Sequence, residues 1–76
     1  MIVDILKQNG YRKINSIHYK KRNLIIEICG YIRIFYKKDL FLIIHGYQNY
    51  TLEDINEMLL TITRYEKIKK LNETKY

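Results

Sequence analysis

His18, His45 and Cys29 are the residues whose side chains could ligate a soft metal or attack a substrate, and they are scattered along the 76-residue chain. Zinc sites draw their ligands from closely spaced pairs, and no such spacing is present. Ser16 and His18 stand two apart, which on a strand puts both on one face, but the spacing alone carries little. Asp4, Glu27 and Asp39 are dispersed, so no carboxylate pair offers general acid–base catalysis. Gly10, Gly30 and Gly46 are isolated and form no phosphate-cradling loop. The expectation is a protein without catalysis, cofactor or metal.

Binding is the chemistry that the composition does favour. The formal net charge is +6, and it is segregated along the chain. Residues 11 to 38 hold eight Lys or Arg against Glu27 alone, a balance of +7. Residues 51 to 63 hold Glu53, Asp54 and Glu57 with no base, and residues 64 to 76 return five bases against Glu66 and Glu73. A field of this kind favours anionic partners. Beside the charge stands the stretch Tyr31 to Ile44. At a strand's period of two, one face carries Ile32, Ile34, Tyr36, Leu40, Leu42 and Ile44. The other carries Tyr31, Arg33, Phe35, Phe41, Ile43 and His45. A solvent-facing side needs no such rings, so something is expected to lie against it. Rings interleaved with Arg can stack bases; they can equally pack on the N-terminal helix or on a second copy.

The elements that would position these residues follow from local patterns. Ile2, Ile5 and Leu6 sit at helical spacing ahead of Asn9 and Gly10, which predicts a short helix over 2–9 ended by a left-handed glycine. Residues 11 to 19 mix apolar positions out of phase, as a bulged or edge strand does. KKRN at 20 to 23 reads as a turn, and the β-branched run LIIEIC at 24 to 29 as a central strand. Gly30 either closes a hairpin with Cys29 and Tyr31 or bends one long strand. A strand from 24 to 37 would run about 46 Å, too long for a small domain without sharp curvature, which favours the hairpin.

Lys37, Lys38 and Asp39 read as a three-residue turn that keeps Tyr36 and Leu40 on one face, and residues 40 to 45 as the last strand. Thr51 with Asp54 three residues on resembles a capping box, and the helix after it carries the stripe Leu52, Ile55, Met58, Leu59, Ile62 and Tyr65. The fold class is therefore a single two-layer α+β domain over 1–76: a small antiparallel sheet of three or four strands, packed by a C-terminal helix and a short N-terminal helix. The element order is α-β-β-β-β-α, or α-β-β-β-α if Gly30 only bends a strand. The N-terminal MIVDIL fits no signal peptide, the longest apolar run fits no membrane span, and a lone cysteine calls for no oxidising compartment, so a cytoplasmic protein is expected. Phe, Tyr, Ile, Asn and Lys, all with AT-rich codons, supply forty of the 76 residues, a bias met in phage and mobile-element genes.

In a meander, the turns at 20 to 23 and 37 to 39 fall at one end of the sheet, and the last helix returns Lys67, Lys69 and Lys70 toward it. The expected binding residues are Lys20, Lys21, Arg22, Lys37 and Lys38 on phosphates and Tyr31, Arg33 and Phe35 on bases. Five or six phosphate contacts would lower log affinity against log salt at a slope of about −5. The partner is then nucleic acid or a nucleic-acid-handling protein. The alternative is a protein–protein inhibitor of a host nucleic-acid enzyme, such as a CRISPR nuclease, with the aromatic face as its hot spot or as a homodimer contact.

Two resemblances bear on this reading. The piece ILKQNGY at 5 to 11, with the α-β-β-β-α order, resembles the start of double-stranded-RNA-binding domains, although TLEDI at 51 to 55 replaces that family's lysine-rich helix start. The same piece followed by Ser16, Ile17 and His18 is similar to HicA-type ribonuclease toxins, in which a strand histidine follows Gly-Ser. That resemblance implies His18 as a catalytic acid or base; here Asn15 stands at the Gly position and Ile17 is extra. The alternative is a half-buried His18 bonded to backbone.

Overall fold

The computed structural model describes residues 2–74. Helix α1 (Ile2–Gln8) leads into strands β1 (Arg12–Lys13), β2 (His18–Lys21), β3 (Leu24–Ile28), β4 (Ile32–Tyr36) and β5 (Asp39–Ile44). A 3₁₀ turn (Tyr47–Asn49) follows, and helix α2 (Leu52–Thr74) closes the chain. The strands form one antiparallel meander in sequence order. This is the expected α+β architecture with five strands in place of three or four. The extra strand comes from residues 11 to 19: a bend at 15–17 breaks them into β1 and the start of β2, so they form a hairpin rather than one bulged strand.

α1 ends on Gly10 at φ 89°, where its amide bonds to the Lys7 carbonyl at 3.1 Å and the Tyr11 amide reaches back to that of Leu6 at 3.0 Å. These are the two bonds of a Schellman stop, and buried Leu6 and Tyr11 supply its apolar contact. Gly30, at φ 71°, turns the chain between the paired residues Ile28 and Ile32, so β3 and β4 are a hairpin and not one bent strand. At the head of α2, Thr51 and Asp54 cap each other: the Thr51 amide donates to the Asp54 carboxylate at 2.9 Å and the Asp54 amide to the Thr51 hydroxyl at 3.2 Å.

Two turns differ from expectation. The β2–β3 loop is Arg22–Asn23, with Lys20 and Lys21 inside β2, and the β4–β5 loop is Lys37–Lys38, with Asp39 already paired to Tyr36. A loop shorter by one residue would put the alternation of β5 out of phase with the core. A bulge at Phe41 restores it, because Leu40 pairs with Phe35 while Leu42 pairs with Ile34. Leu40 is therefore exposed on the outer face, and Phe41 turns to the helix side, where it stacks on Tyr65 at 4.2 Å.

The core lies between the sheet and both helices. Leu24, Ile26, Ile32, Ile34 and Tyr36 of the sheet meet Ile5 and Leu6 of α1 and Ile55, Met58, Leu59 and Ile62 of α2. Leu52, expected in the stripe, is exposed. Because α1 and α2 share this one layer, the opposite face of the sheet has no cover among the described residues.

Candidate nucleic-acid interface

The uncovered face is ordered by register. One cross-strand row runs Arg12, Lys20, Ile25, Phe35 and Leu40; the next runs His18, Glu27, Arg33 and Ile43. In the second row Glu27 is buried to 6% exposure. Arg33 donates to its Oε1 through Nε at 2.8 Å and Nη2 at 2.5 Å. His18 Nε2 stands 3.1 Å from Oε2. The Arg33 hydrogen bonds hold the Glu27 carboxyl below its ordinary range; burial opposes them and the His18 bond adds to them. The same pairing raises Arg33.

Pinned in this way, the Arg33 guanidinium carbon lies 5.4 Å from the Tyr31 ring centre and 5.6 Å from that of Phe35. A ring, a guanidinium and a second ring thus follow one another along β4. Tyr31 also leans on His45, with ring centres 6.0 Å apart. Phe35, Ile14, His18, Ile25 and Lys38 line an open depression of about 350 Å³. A second one abuts it, lined by Lys20, Asn23, Ile25, Lys37 and Lys38.

The cationic turns converge as expected: the Lys37 amide bonds to the Asn23 carbonyl at 3.0 Å, which puts residues 20–22 and 37–38 at one pole. They do not share one face. Lys20, Lys38, Tyr31, Arg33 and Phe35 lie on the open side. Lys21 stands over the Tyr11 ring at 5.5 Å, on the core side. Arg22 is bound to Glu66 at 2.6 Å, and Lys37 to Glu73 at 2.8 Å, both across to α2. The Glu66 hydrogen bond raises Arg22, and the Glu73 hydrogen bond raises Lys37 while lowering Glu73. Arg22 and Lys37 thus tie the sheet to α2, and Lys21 covers the stop of α1. Lys69, from the last helix, lies over Tyr65 and borders a hollow with Tyr36, Lys37 and Asp39, again on the helix side.

Arg12, Ile14, Ile25 and Glu27 were not among the expected site residues. Arg12 and Ile14 were missed with the β1–β2 hairpin. Glu27 was legible, because it and Arg33 are equidistant from Gly30 and a hairpin centred there pairs them. Among the described residues, the open face carries Arg12, Lys20, Arg33 and Lys38 against Glu27, four positive charges to one negative.

His18 is half-buried, and its partners are side chains. Its Nδ1 lies 2.9 Å from Asn15 Oδ1, which also accepts the amides of Ile17 and His18 at 3.0 Å. Ser16 falls in the bend before β2, so it does not share a strand face with His18. Cys29 is exposed. Among the described residues, no group of three His, Cys, Asp or Glu side chains is placed to hold a metal ion, and no helix is long and apolar enough to cross a membrane.

Comparison of the chain with known protein families, with curated proteins and with solved structures gives no match. The two resemblances drawn from the sequence remain likenesses of element order and short motif, and the sheet has five strands.

Proposed function

We propose that the chain is a small, non-catalytic cytoplasmic binding protein of phage or mobile-element type. It engages single-stranded nucleic acid, alone or in a nucleoprotein, across its open sheet face. The observation that carries this reading is the Tyr31, Arg33, Phe35 strip, flanked by Lys20, Lys38 and Arg12 on a face with one buried carboxylate. Bases stack on rings and on guanidinium planes, and the flanking cations meet phosphates.

The test is fluorescence anisotropy with labelled single-stranded oligonucleotides across a salt series. Three phosphate contacts on a single strand give a slope of log affinity on log salt of about −2. That is shallower than five or six contacts would give, because Lys21, Arg22 and Lys37 are engaged on the helix side. Phe35→Ala weakens binding by about 5- to 150-fold, the range of one lost stack. Lys20→Glu with Lys38→Glu abolishes it. Absence of binding at low salt, or binding indifferent to salt, overturns the proposal.

A protein partner is the second reading, favoured by the exposure of Ile14, Leu40 and Ile43 around Phe35 at 48%, 45% and 46%. An inhibitor of a host nucleic-acid enzyme such as a CRISPR nuclease would use them as a hot spot, with Phe35→Ala costing more than the lysine reversals. A homodimer seated face to face would juxtapose like charges. A ribonuclease using His18 predicts RNA cleavage that His18→Ala removes.

A further inference from the structure

The two edges of the sheet are built differently. The β1 edge is two residues long, Arg12–Lys13, both exposed and charged, which is how natural proteins blunt an edge against unwanted pairing. The β5 edge is six residues, Asp39–Ile44, apolar after its first residue and paired only with β4. Its bulge at Phe41 bends the near half, leaving Leu42–Ile44 as its regular stretch. Two-residue hairpins close on a hydrogen-bonded pair, here Tyr36 and Asp39. The alternation of antiparallel bonds then aims the main-chain groups of Leu42 and Ile44 at β4 and those of Ile43 outward. Beside this stretch, between β5 and α2, lies an open groove of about 360 Å³. Its apolar lining includes Leu42, Ile44, Tyr50 and Met58, and Asp54 and Glu57 supply acid. They belong to a tract, residues 51 to 63, that has three acids and no base in a chain of net charge +6.

We infer that this edge and groove form a second binding site, independent of the open sheet face, which takes an extended segment of a partner protein as a sixth strand. Every second residue of the segment faces α2, and these positions carry both apolar and basic side chains. Its main chain pairs with β5 around Ile43, its apolar side chains enter the groove over Leu42, Ile44 and Met58, and its Lys or Arg side chains meet Asp54 and Glu57. Main-chain pairing gives such a complex its affinity, while alternate side chains in the groove give it selectivity. The acid is what chooses a basic segment over an acidic one.

The probe is a capped, fluorescein-labelled peptide of about seven residues with valine and lysine at successive α2-facing positions and threonine between them, and a control peptide has glutamate in place of lysine. Anisotropy is expected to show binding of the basic peptide alone, about tenfold weaker to Glu57→Lys. It is lost in Ile43→Pro, which deletes an outward amide that β4 does not use. Hydrogen exchange on the intact protein should show the Ile43 amide protected when the peptide is added. Lys20→Glu with Lys38→Glu leaves peptide binding unchanged, so this site and the nucleic-acid face fail separately. Equal binding of both peptides, indifference to Glu57→Lys, or an Ile43 amide that stays unprotected overturns the inference. So does concentration-dependent self-association that Glu57→Lys removes, which would assign the edge to the basic β1 of a second copy.

Discussion

Tyr11 shows how a single residue is committed by its surroundings. It is buried at the stop of α1, under the Lys21 ammonium and near the Arg22–Glu66 pair. Burial, and after it the Glu66 carboxylate, pushes its phenol up to about 12, with Arg22 opposing. A folded value above the ordinary 10.0 means that the fold favours the protonated phenol. Its contribution to stability is complete below about pH 10 and is lost as the pH rises toward 12. An ultraviolet titration of the folded chain should therefore show a tyrosine step near pH 12 that Tyr11→Phe removes; a Tyr11→Phe titration identical to the parent's would refute the assignment. Glu27 has the opposite sign. Lowered by Arg33, it supports the fold above the ordinary carboxylate range, and that support is lost as the pH falls through its lowered value, with Glu73 beside Lys37 acting in the same direction. At this scale the sequence was informative about types and silent about sides. Glu27 stands out as the one acid in a basic tract, but the bonds to Arg22 and Lys37 come from Glu66 and Glu73, on a helix more than thirty positions away.

The hairpin turns are where local preference and fold disagree. Two-residue turns with positive φ at both central positions suit Asn-Gly, because other residues set their Cβ against the next carbonyl. Here Lys37 and Lys38 occupy φ 49° and 73°, and Arg22 in the neighbouring turn occupies 56°. Strain of this kind persists where the side chains are needed. Lys38→Gly should accordingly stabilise the free protein by about 1 kcal/mol in urea unfolding, while weakening oligonucleotide binding and reducing the salt slope by about 0.7. Unchanged binding would mean that Lys38 serves only to keep the pole solvated. This strain also hides the turn length from a reading of the sequence. Lysine pairs give no sign of a tight hairpin, and a three-residue loop keeps Tyr36 and Leu40 in phase without a bulge. By contrast α1, its glycine stop and the Thr51–Asp54 cap were legible, because each depends on residues within five positions of one another.

At the scale of the molecule, the fold has two layers, a sheet and a single layer of helices. For 76 residues total stability is about 4–11 kcal/mol, so the distribution of burial decides what a substitution can cost. Ile25 and Ile26 are adjacent on β3 and point to opposite faces. Ile26 is fully buried against the helices, and Ile25 is half-buried on the open side beside Phe35 and Lys38. Ile26→Ala should cost about 2–5 kcal/mol, enough to unfold much of the population, and should reduce nucleic-acid binding only in proportion to the folded fraction. Ile25→Ala should cost about 1 kcal/mol or less and should weaken binding by the folded protein, because it lowers the floor between Lys20 and Lys38. Urea midpoints and affinities measured on the same two variants decide between a sheet with one working surface and a sheet buried on both sides. If the two substitutions are equally destabilising, something covers the outer face in solution, and the rings of Tyr31 and Phe35 are core. If stability separates them and affinity follows Ile25, the rings and cations on that face are free to meet a ligand, and the helix-side lysines are there to hold the turns in place.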